Sequence, residues 1–195
     1  MRTLTGKAAA ASALCLMLFT PAVATQASAQ DSVGDKAKSM GEKTGANSVL
    51  GVTPRTEDFV KEVAIGDMFE IQSSELAQEK GDAATKSFAA QMIEAHKKTS
   101  AELKTIVTGG TVQATIPTAL DSAHQKKLDK LKGLSGADFV KQYREDQVSA
   151  HKDADSAFQR YAKGGENAAL KDWAAKTEPT IASHLEMAKT LDKTK

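Results

Sequence analysis

Glycine residues divide the chain after residue 55 into long segments with the apolar periodicity of a helix. Within each segment, apolar residues recur at the i, i+3, i+4 spacing that places them on one helical face. The segments stop at glycines, which commonly follow the last residue of a helix; these are Gly81, Gly109-Gly110, Gly133 and Gly164-Gly165. The pattern predicts an all-α fold.

From these segments we predict four long helices and one short helix. The long helices cover about 56–80, 82–108, 135–163 and 166–191, and the short helix covers about 120–132. Thr56 is placed to cap the first helix, and Ser135 with Asp138 forms a capping-box pattern at the third long helix. Pro179 lies inside the last helix, where a proline is expected to produce a kink.

The lengths of the connections predict how these helices are arranged. Two pairs of long helices are tightly joined, and one long connection that contains the short helix links the pairs. This order predicts an antiparallel four-helix bundle of ferritin-like connectivity. The two halves echo each other weakly, as in Phe59-Val60-Lys61 and Phe139-Val140-Lys141. An open α-solenoid is the less favoured alternative, because repeat stacks usually need about three units.

Size and charge limit the classes of partner. A chain of 195 residues fits one domain plus a small additional segment, at about 100–200 residues per domain. Lysine and arginine number 26 against 25 aspartates and glutamates, which gives a formal charge of +1. Because this chain lacks the basic excess that neutralises phosphate backbones, we expect no nucleic-acid partner.

The first 29 residues have the three parts of a secretory signal peptide. Arg2 and Lys7 form a basic start, residues 8–19 are apolar, and Ala27-Ser28-Ala29 offers a cleavage site before Gln30. The apolar stretch is shorter than the roughly 20 residues of a membrane span, and we find no later segment long enough. We therefore predict a periplasmic protein, with peripheral association at the outer membrane as a further option.

Residues 30–54 lack a sustained apolar period and contain several glycines, which predicts a flexible linker. The predicted organisation is thus a signal peptide over 1–29, a linker over 30–54 and a helical domain over 55–195. Cys15 is the only cysteine and lies in the signal peptide. The mature chain therefore has no disulfide, no thiolate metal ligand and no cysteine nucleophile.

Three histidines lie on the apolar stripes of different long helices. His96, His151 and His184 occupy three of these helices, and the first long helix carries Glu70, with Asp67 on the same face. At a rise of about 1.5 Å per residue, these side chains fall near the same height in an antiparallel bundle. We predict that Glu70 and the three histidines form one buried cluster, with Asp67 as a further candidate member.

The cluster departs from the pattern of di-iron carboxylate bundles in a way that points to one ion. Such bundles place a glutamate three residues before two of their histidines, but here those positions hold Ile93 and Ile181. Three imidazoles and one carboxylate suit a single divalent transition metal, namely iron, zinc, copper or nickel. The competing interpretations are a hydrogen-bonded polar core, which we favour from sequence alone, and a pH-responsive histidine cluster.

Three common catalytic motifs are absent from the sequence. We find no glycine-rich phosphate loop, no Gly-x-Ser-x-Gly elbow and no His-Glu-x-x-His zinc motif. We therefore assign no catalytic or cofactor-binding residue outside the candidate metal ligands, and His124 on the short helix is expected to be solvated.

The order of the histidine motifs resembles a known family. After the helix with Glu70, the chain contains Met92-Ile93-Glu94-Ala95-His96, Gln147-Val148-Ser149-Ala150-His151 and Pro179-Thr180-Ile181-Ala182-Ser183-His184. This series is similar to the ferritin-like family called domain of unknown function 4142, over about residues 57–191. The resemblance implies an exported bacterial protein of the periplasm or outer membrane, and Glu70 and the three histidines match the family by position. Val140 departs from the aspartate common at that place in the family.

Two functional hypotheses follow. The first is a non-enzymatic role in the cell envelope, for example in stress tolerance or in binding another envelope protein, with a Glu/His cluster able to hold one divalent metal. The alternative is a metal-dependent oxidase, a peroxidase-like enzyme or a metal-storage protein that uses Glu70, His96, His151 and His184 as ligands.

Overall fold

The computed structural model describes residues 50–193 together with Lys36, Met40 and Gly41. Between Thr56 and Lys193 the chain forms five α-helices. They are α1 Thr56–Lys80, α2 Ala83–Ile106, α3 Ser122–Gly133, α4 Gly136–Gly164 and α5 Ala168–Lys193. The prediction of an all-α protein is confirmed. The predicted signal peptide over 1–29 and most of the predicted linker over 30–54 lie outside the described residues.

At the N-termini of α1 and α4, the residues predicted to cap the helix make no capping hydrogen bond. Arg55, not Thr56, is the N-cap of α1, so the prediction for Thr56 is wrong; its hydroxyl instead shares a hydrogen bond of 2.7 Å with the Tyr161 hydroxyl of α4. Ser135 is the N-cap of α4, but its side chain makes no cap hydrogen bond, so the predicted capping box is also wrong. Asp82 does cap α2, accepting a bond from the Thr85 amide.

The connection from α2 to α3 begins with a widened turn. Residues Val107–Thr111 continue α2 as a π-type turn, in which Gly110 has a φ of +84°. That value lies in the left-handed region, which a glycine adopts without steric cost. The turn therefore ends the helix where Gly109-Gly110 was predicted to stop it, and the chain then runs to α3 and α4.

Each long helix packs against two others, and its neighbours run antiparallel to it. Helices α1 and α2 form one hairpin and α4 and α5 form another, while α1 contacts α4 and α2 contacts α5. Tyr161 at the end of α4 meets Thr56 at the start of α1. In the same way, Trp173 near the start of α5 donates a hydrogen bond of 2.9 Å to Glu102 near the end of α2.

The core has two apolar clusters with a polar layer between them. One cluster contains Phe59, Phe158 and Trp173, and the other contains Phe69 and Phe139. On each long helix, buried polar residues lie between the residues that belong to the two clusters: Asp67 on α1, His96 on α2, Gln147 and His151 on α4, and His184 on α5. Glu70 follows directly after Phe69 on α1 and is also buried. The apolar clusters thus enclose the polar layer from both ends.

The residues just before α1 are held against α4. The Arg160 side chain donates a hydrogen bond of 2.6 Å to the Val52 carbonyl, and the Thr53 hydroxyl donates one of 3.4 Å to the Arg160 carbonyl. The C-terminal end of the predicted linker therefore packs on the helical domain. Among the described residues, no helix is both long enough and apolar enough to span a membrane.

The α1–α2 turn provides a test of this packing. A Cβ at Gly81 would lie 2.6 Å from the Ala77 carbonyl oxygen and 2.9 Å from Thr85 Cγ2. We expect Gly81→Ala to lower the free energy of unfolding by about 1–3 kcal/mol, because the backbone must shift to relieve the contact. Urea unfolding of the chain from Gln30 onward measures it. Gly133→Ala is the matched control, since a Cβ there has no atom within 4 Å; equal losses in both variants would contradict the packing.

Candidate metal centre

Three imidazoles from three different helices meet in the polar layer. The ring centroids of His96 and His151 are 5.5 Å apart, those of His96 and His184 are 5.8 Å apart, and those of His151 and His184 are 5.6 Å apart. Each ring offers one nitrogen such that the three nitrogens lie within 4.8 Å of one another. All three residues are buried. The predicted meeting of His96, His151 and His184 is therefore observed.

Two of the imidazoles are oriented by hydrogen bonds at Nδ1. His96 Nδ1 lies 2.7 Å from Asp67 Oδ1, and His151 Nδ1 lies 2.9 Å from the Gln147 carbonyl oxygen. Because a carbonyl only accepts, His151 Nδ1 carries the hydrogen. Both rings thereby present Nε2 to the centre of the layer, where the two Nε2 atoms are 3.4 Å apart.

Asp67 orients the ring of His96 through a hydrogen bond. Its Oδ1 bonds His96, and its Oδ2 accepts a hydrogen bond of 2.9 Å from the Ser100 hydroxyl. Metal-ligating histidines usually donate their second nitrogen to a carboxylate or carbonyl in this way, which sets the tautomer and the ring orientation. Both oxygens of Asp67 are thus engaged outside the group of three ligand nitrogens.

His184 is held less firmly than the other two histidines. Its Nδ1 is buried and has no hydrogen-bond partner among the described residues. An imidazole nitrogen without a partner in a protein interior is costly. The three histidines together could hold one metal ion.

Glu70 is buried one turn further along α1 but does not join the three nitrogens. It is 3% exposed, and neither carboxylate oxygen has a hydrogen-bond partner within the part of the chain that the structure describes. Burial raises the pKa of its carboxyl to about 7, against the charge of His96 and the amide of Gln147, which lower it. Glu70 is therefore a buried carboxyl that lies close to the Gln147 amide and outside the group of three ligand nitrogens.

Two of the three imidazoles are neutral at pH 7, mainly because they are buried. Burial lowers the pKa of His151 to about 3 and that of His184 to about 4, and the nearby charge of His96 adds to both shifts. Burial also opposes charge on His96, but the hydrogen bond and charge of Asp67 raise the pKa of His96 overall. Burial raises the pKa of Asp67 in turn. Neutral imidazoles are the form that binds metals.

Sequence reasoning assigned no role to two residues that support the layer. Ser100 lies four residues after His96, and Gln147 lies four residues before His151. The i, i+4 spacing on the same helical face is the signal that could have identified both. His124 lies outside the layer on α3, where it bonds Asp121 and packs edge-on against Phe69.

One comparison with known proteins gives a match. A family model described as "Domain of unknown function (DUF4142)" matches residues 41–191, which include the five helices up to Leu191. No curated protein and no solved structure matches this chain significantly.

Acidification tests the buried state of His184. Its folded-state pKa of about 4 lies below its ordinary value of 6.5, so its contribution to stability is complete above pH 6.5 and is lost as the pH falls. Between pH 7 and pH 5 this loss amounts to about 2 kcal/mol. We expect His184→Leu to lose correspondingly less stability over that range, measured by urea unfolding with a chelator present. Identical pH dependence in the parent and the variant would show that His184 is not buried in its neutral form.

The carboxyl of Glu70 has the opposite dependence on pH. Its folded-state pKa of about 7 lies above the ordinary 4.5, so stability is lost as the pH rises through this window. Replacement by glutamine removes that loss. We expect the stability of Glu70→Gln relative to the parent to improve by about 3 kcal/mol from pH 4 to pH 8 in metal-free protein. A relative stability that does not change with pH would contradict the burial of Glu70.

Proposed function

This chain belongs to the DUF4142 family, and on that premise we propose that it is an exported, ferritin-like helical bundle protein that binds one divalent transition metal through His96, His151 and His184. The observation that carries the proposal is the convergence of three buried ring nitrogens within 4.8 Å.

The helix order supports the ferritin-like part of the proposal. Two antiparallel hairpins, α1–α2 and α4–α5, pack side by side, and the long connection that contains α3 returns the chain from the end of α2 to the start of α4. Ferritin-like bundles have this single long crossover, and they hold metals with side chains that project from facing helices into the core.

The ligand set supports a single borderline ion. Imidazole nitrogens suit zinc, copper, iron and nickel, whereas hard ions such as Mg²⁺ and Ca²⁺ prefer oxygen. Ile93 and Ile181 stand where a di-iron bundle would place two glutamates, so the layer lacks the bridging carboxylates of a two-metal centre. Asp67 and Glu70 together supply two negative charges when ionised, which would balance one divalent cation.

The cellular part of the proposal rests on the N-terminal sequence and on the residue pattern of the family. Residues 1–29 have the basic, apolar and small-residue parts of a signal peptide, which favours the periplasm. We propose a non-enzymatic role in the cell envelope, including stress tolerance. A deletion strain that responds normally to acid, oxidant, salt and metal challenge would contradict the stress role.

The alternative function uses the same ion. Because three histidines leave a coordination position unfilled, an oxidase or peroxidase-like activity would employ the same His96, His151 and His184. Consumption of peroxide by the metal-loaded protein, and loss of that activity in His96→Ala/His184→Ala, would favour this alternative over the non-enzymatic role.

Elemental analysis of untagged protein purified from periplasm is the direct test. We expect close to one equivalent of a transition metal per chain in the parent and none in His96→Ala/His184→Ala, because one imidazole cannot hold the ion. The untagged chain is required, since an affinity tag would add histidines of its own.

His124→Ala is the matched control, because it removes a histidine outside the layer. It should retain the metal of the parent, and circular dichroism should show that all three proteins are helical. A parent that stays metal-free after incubation with iron, zinc, copper and nickel would overturn the proposal and leave the histidines as a structural polar core.

A further inference from the structure

The three histidines are buried too deeply for an ion to reach them while every helix stays in place. His96 is 4% exposed, His151 is 1% exposed and His184 is 7% exposed. The two apolar clusters close the layer toward both ends of the bundle. An ion from the surrounding water must therefore pass between helices, so at least one segment next to the layer has to open locally.

Two of the helices that carry these histidines are bonded to α1. On α2, His96 Nδ1 lies 2.7 Å from Asp67 Oδ1 of α1. On α4, the Tyr143 hydroxyl lies 2.8 Å from the Ser74 hydroxyl of α1, and both groups are buried. A movement of α2 or α4 away from α1 would break buried hydrogen bonds, which makes these helices unfavourable places for a local opening.

Helix α5 is attached differently on the two sides of Pro179, which lies inside it. Before the proline, Trp173 donates a hydrogen bond of 2.9 Å to Glu102 of α2. After the proline, residues 180–193 are attached to the core through apolar side chains. The buried apolar residues of this segment are Ile181, Leu185, Ala188 and Leu191.

The helix is also weakened immediately before this segment. Because proline has no amide hydrogen, α5 lacks the helical hydrogen bond that residue 179 would otherwise donate to the Ala175 carbonyl. His184 follows Pro179 by five residues, and its Nδ1 has no hydrogen-bond partner among the described residues. The other two histidines are both bonded at Nδ1. The weakest point of α5 thus precedes the histidine that is least firmly held.

We propose that residues 180–193 of α5 are the gate through which the ion enters and leaves the metal site, with Pro179 as the hinge. The segment swings away from the bundle and carries His184 with it, while His96 and His151 stay in place on α2 and α4. An ion that binds all three imidazoles ties the segment to both of these helices and closes the gate. This inference rests on the proposed function, because it requires the ion.

Hydrogen exchange of the metal-free chain from Gln30 onward tests the hinge. Amides 182–187 lie beyond Pro179 but not in the last turn of α5, and we expect them to exchange through a local opening whose rate hardly depends on low concentrations of urea. Pro179→Ala restores the missing helical hydrogen bond, so we expect it to slow their exchange at least about tenfold. Pro117→Ala is the matched control, because Pro117 lies in the connection between α2 and α3; it should leave these rates unchanged.

The rate of metal loading tests the gate. Co²⁺ is the probe, because its visible absorption bands report its coordination, and stopped-flow absorption follows the loading. We expect Pro179→Ala to load at least about tenfold more slowly than the parent and to reach the same final spectrum. Leu191→Ala removes one of the buried side chains that attach the gate, so it should load at least about tenfold faster.

Leu170→Ala is the matched control for Leu191→Ala. Both leucines are buried in α5, but Leu170 lies before Pro179 and outside the gate. Its replacement should lower the overall stability without changing the loading rate. If Leu170→Ala accelerates loading as much as Leu191→Ala does, the ion enters through global unfolding and the inference is wrong. An unchanged loading rate in Pro179→Ala would also overturn it.

Two readouts separate a failure of the gate from a failure of the metal proposal. If Co²⁺ produces no bands, or the same bands in His96→Ala/His184→Ala, the proposed metal site is wrong and the gate has no ion to admit. Hydrogen exchange still decides in that case whether residues 180–193 open at Pro179. If the bands require the histidines but amides 182–187 exchange only by global unfolding in the metal-free protein, the metal site stands and the gate is wrong.

Discussion

The polar layer between the two apolar clusters is the constraint on which the rest of the structure depends. A folded core loses free energy for every polar group that it removes from water without a partner. Here three imidazoles and two carboxylates lie at the middle of four helices, and the protein pairs only some of them. Asp67, Ser100 and the Gln147 carbonyl hold His96 and His151, while His184 and Glu70 are left with unpaired atoms.

The apolar clusters stabilise the fold around the polar layer and bury the layer. At one end Phe59 stacks on Tyr161 with ring centroids 4.1 Å apart, and at the other Phe139 stacks on Tyr143 at 6.1 Å. Burial of such aromatic side chains provides much of the stability of a small core. It also excludes water from the histidines, and this exclusion keeps His151 and His184 neutral and available as ligands.

Much of the fold could be predicted because its signals are local. Apolar periodicity identified every helix between Thr56 and Lys193, and glycines marked most of the ends. The errors were at helix N-termini. Thr56 and Ser135 have the residue types of capping groups, but Thr56 bonds Tyr161, which is 105 residues away in the chain, and Ser135 makes no cap bond. A hydroxyl can form a hydrogen bond with the nearby backbone or with a distant side chain. Local sequence patterns do not indicate which of the two partners it will have in the folded protein.

The sequence by itself determined the all-α class, the helix boundaries to within a few residues and the common height of His96, His151 and His184, because helix rise and period are fixed by backbone geometry. Only the tertiary structure decided how these groups are used. In the folded protein both oxygens of Asp67, a candidate ligand from the sequence, accept hydrogen bonds from His96 and Ser100. Glu70 lies outside the group of three histidine nitrogens that converge. These outcomes depend on the rotation of each helix about its own axis and on the neighbours it meets there, and both are set by packing between residues far apart in the chain.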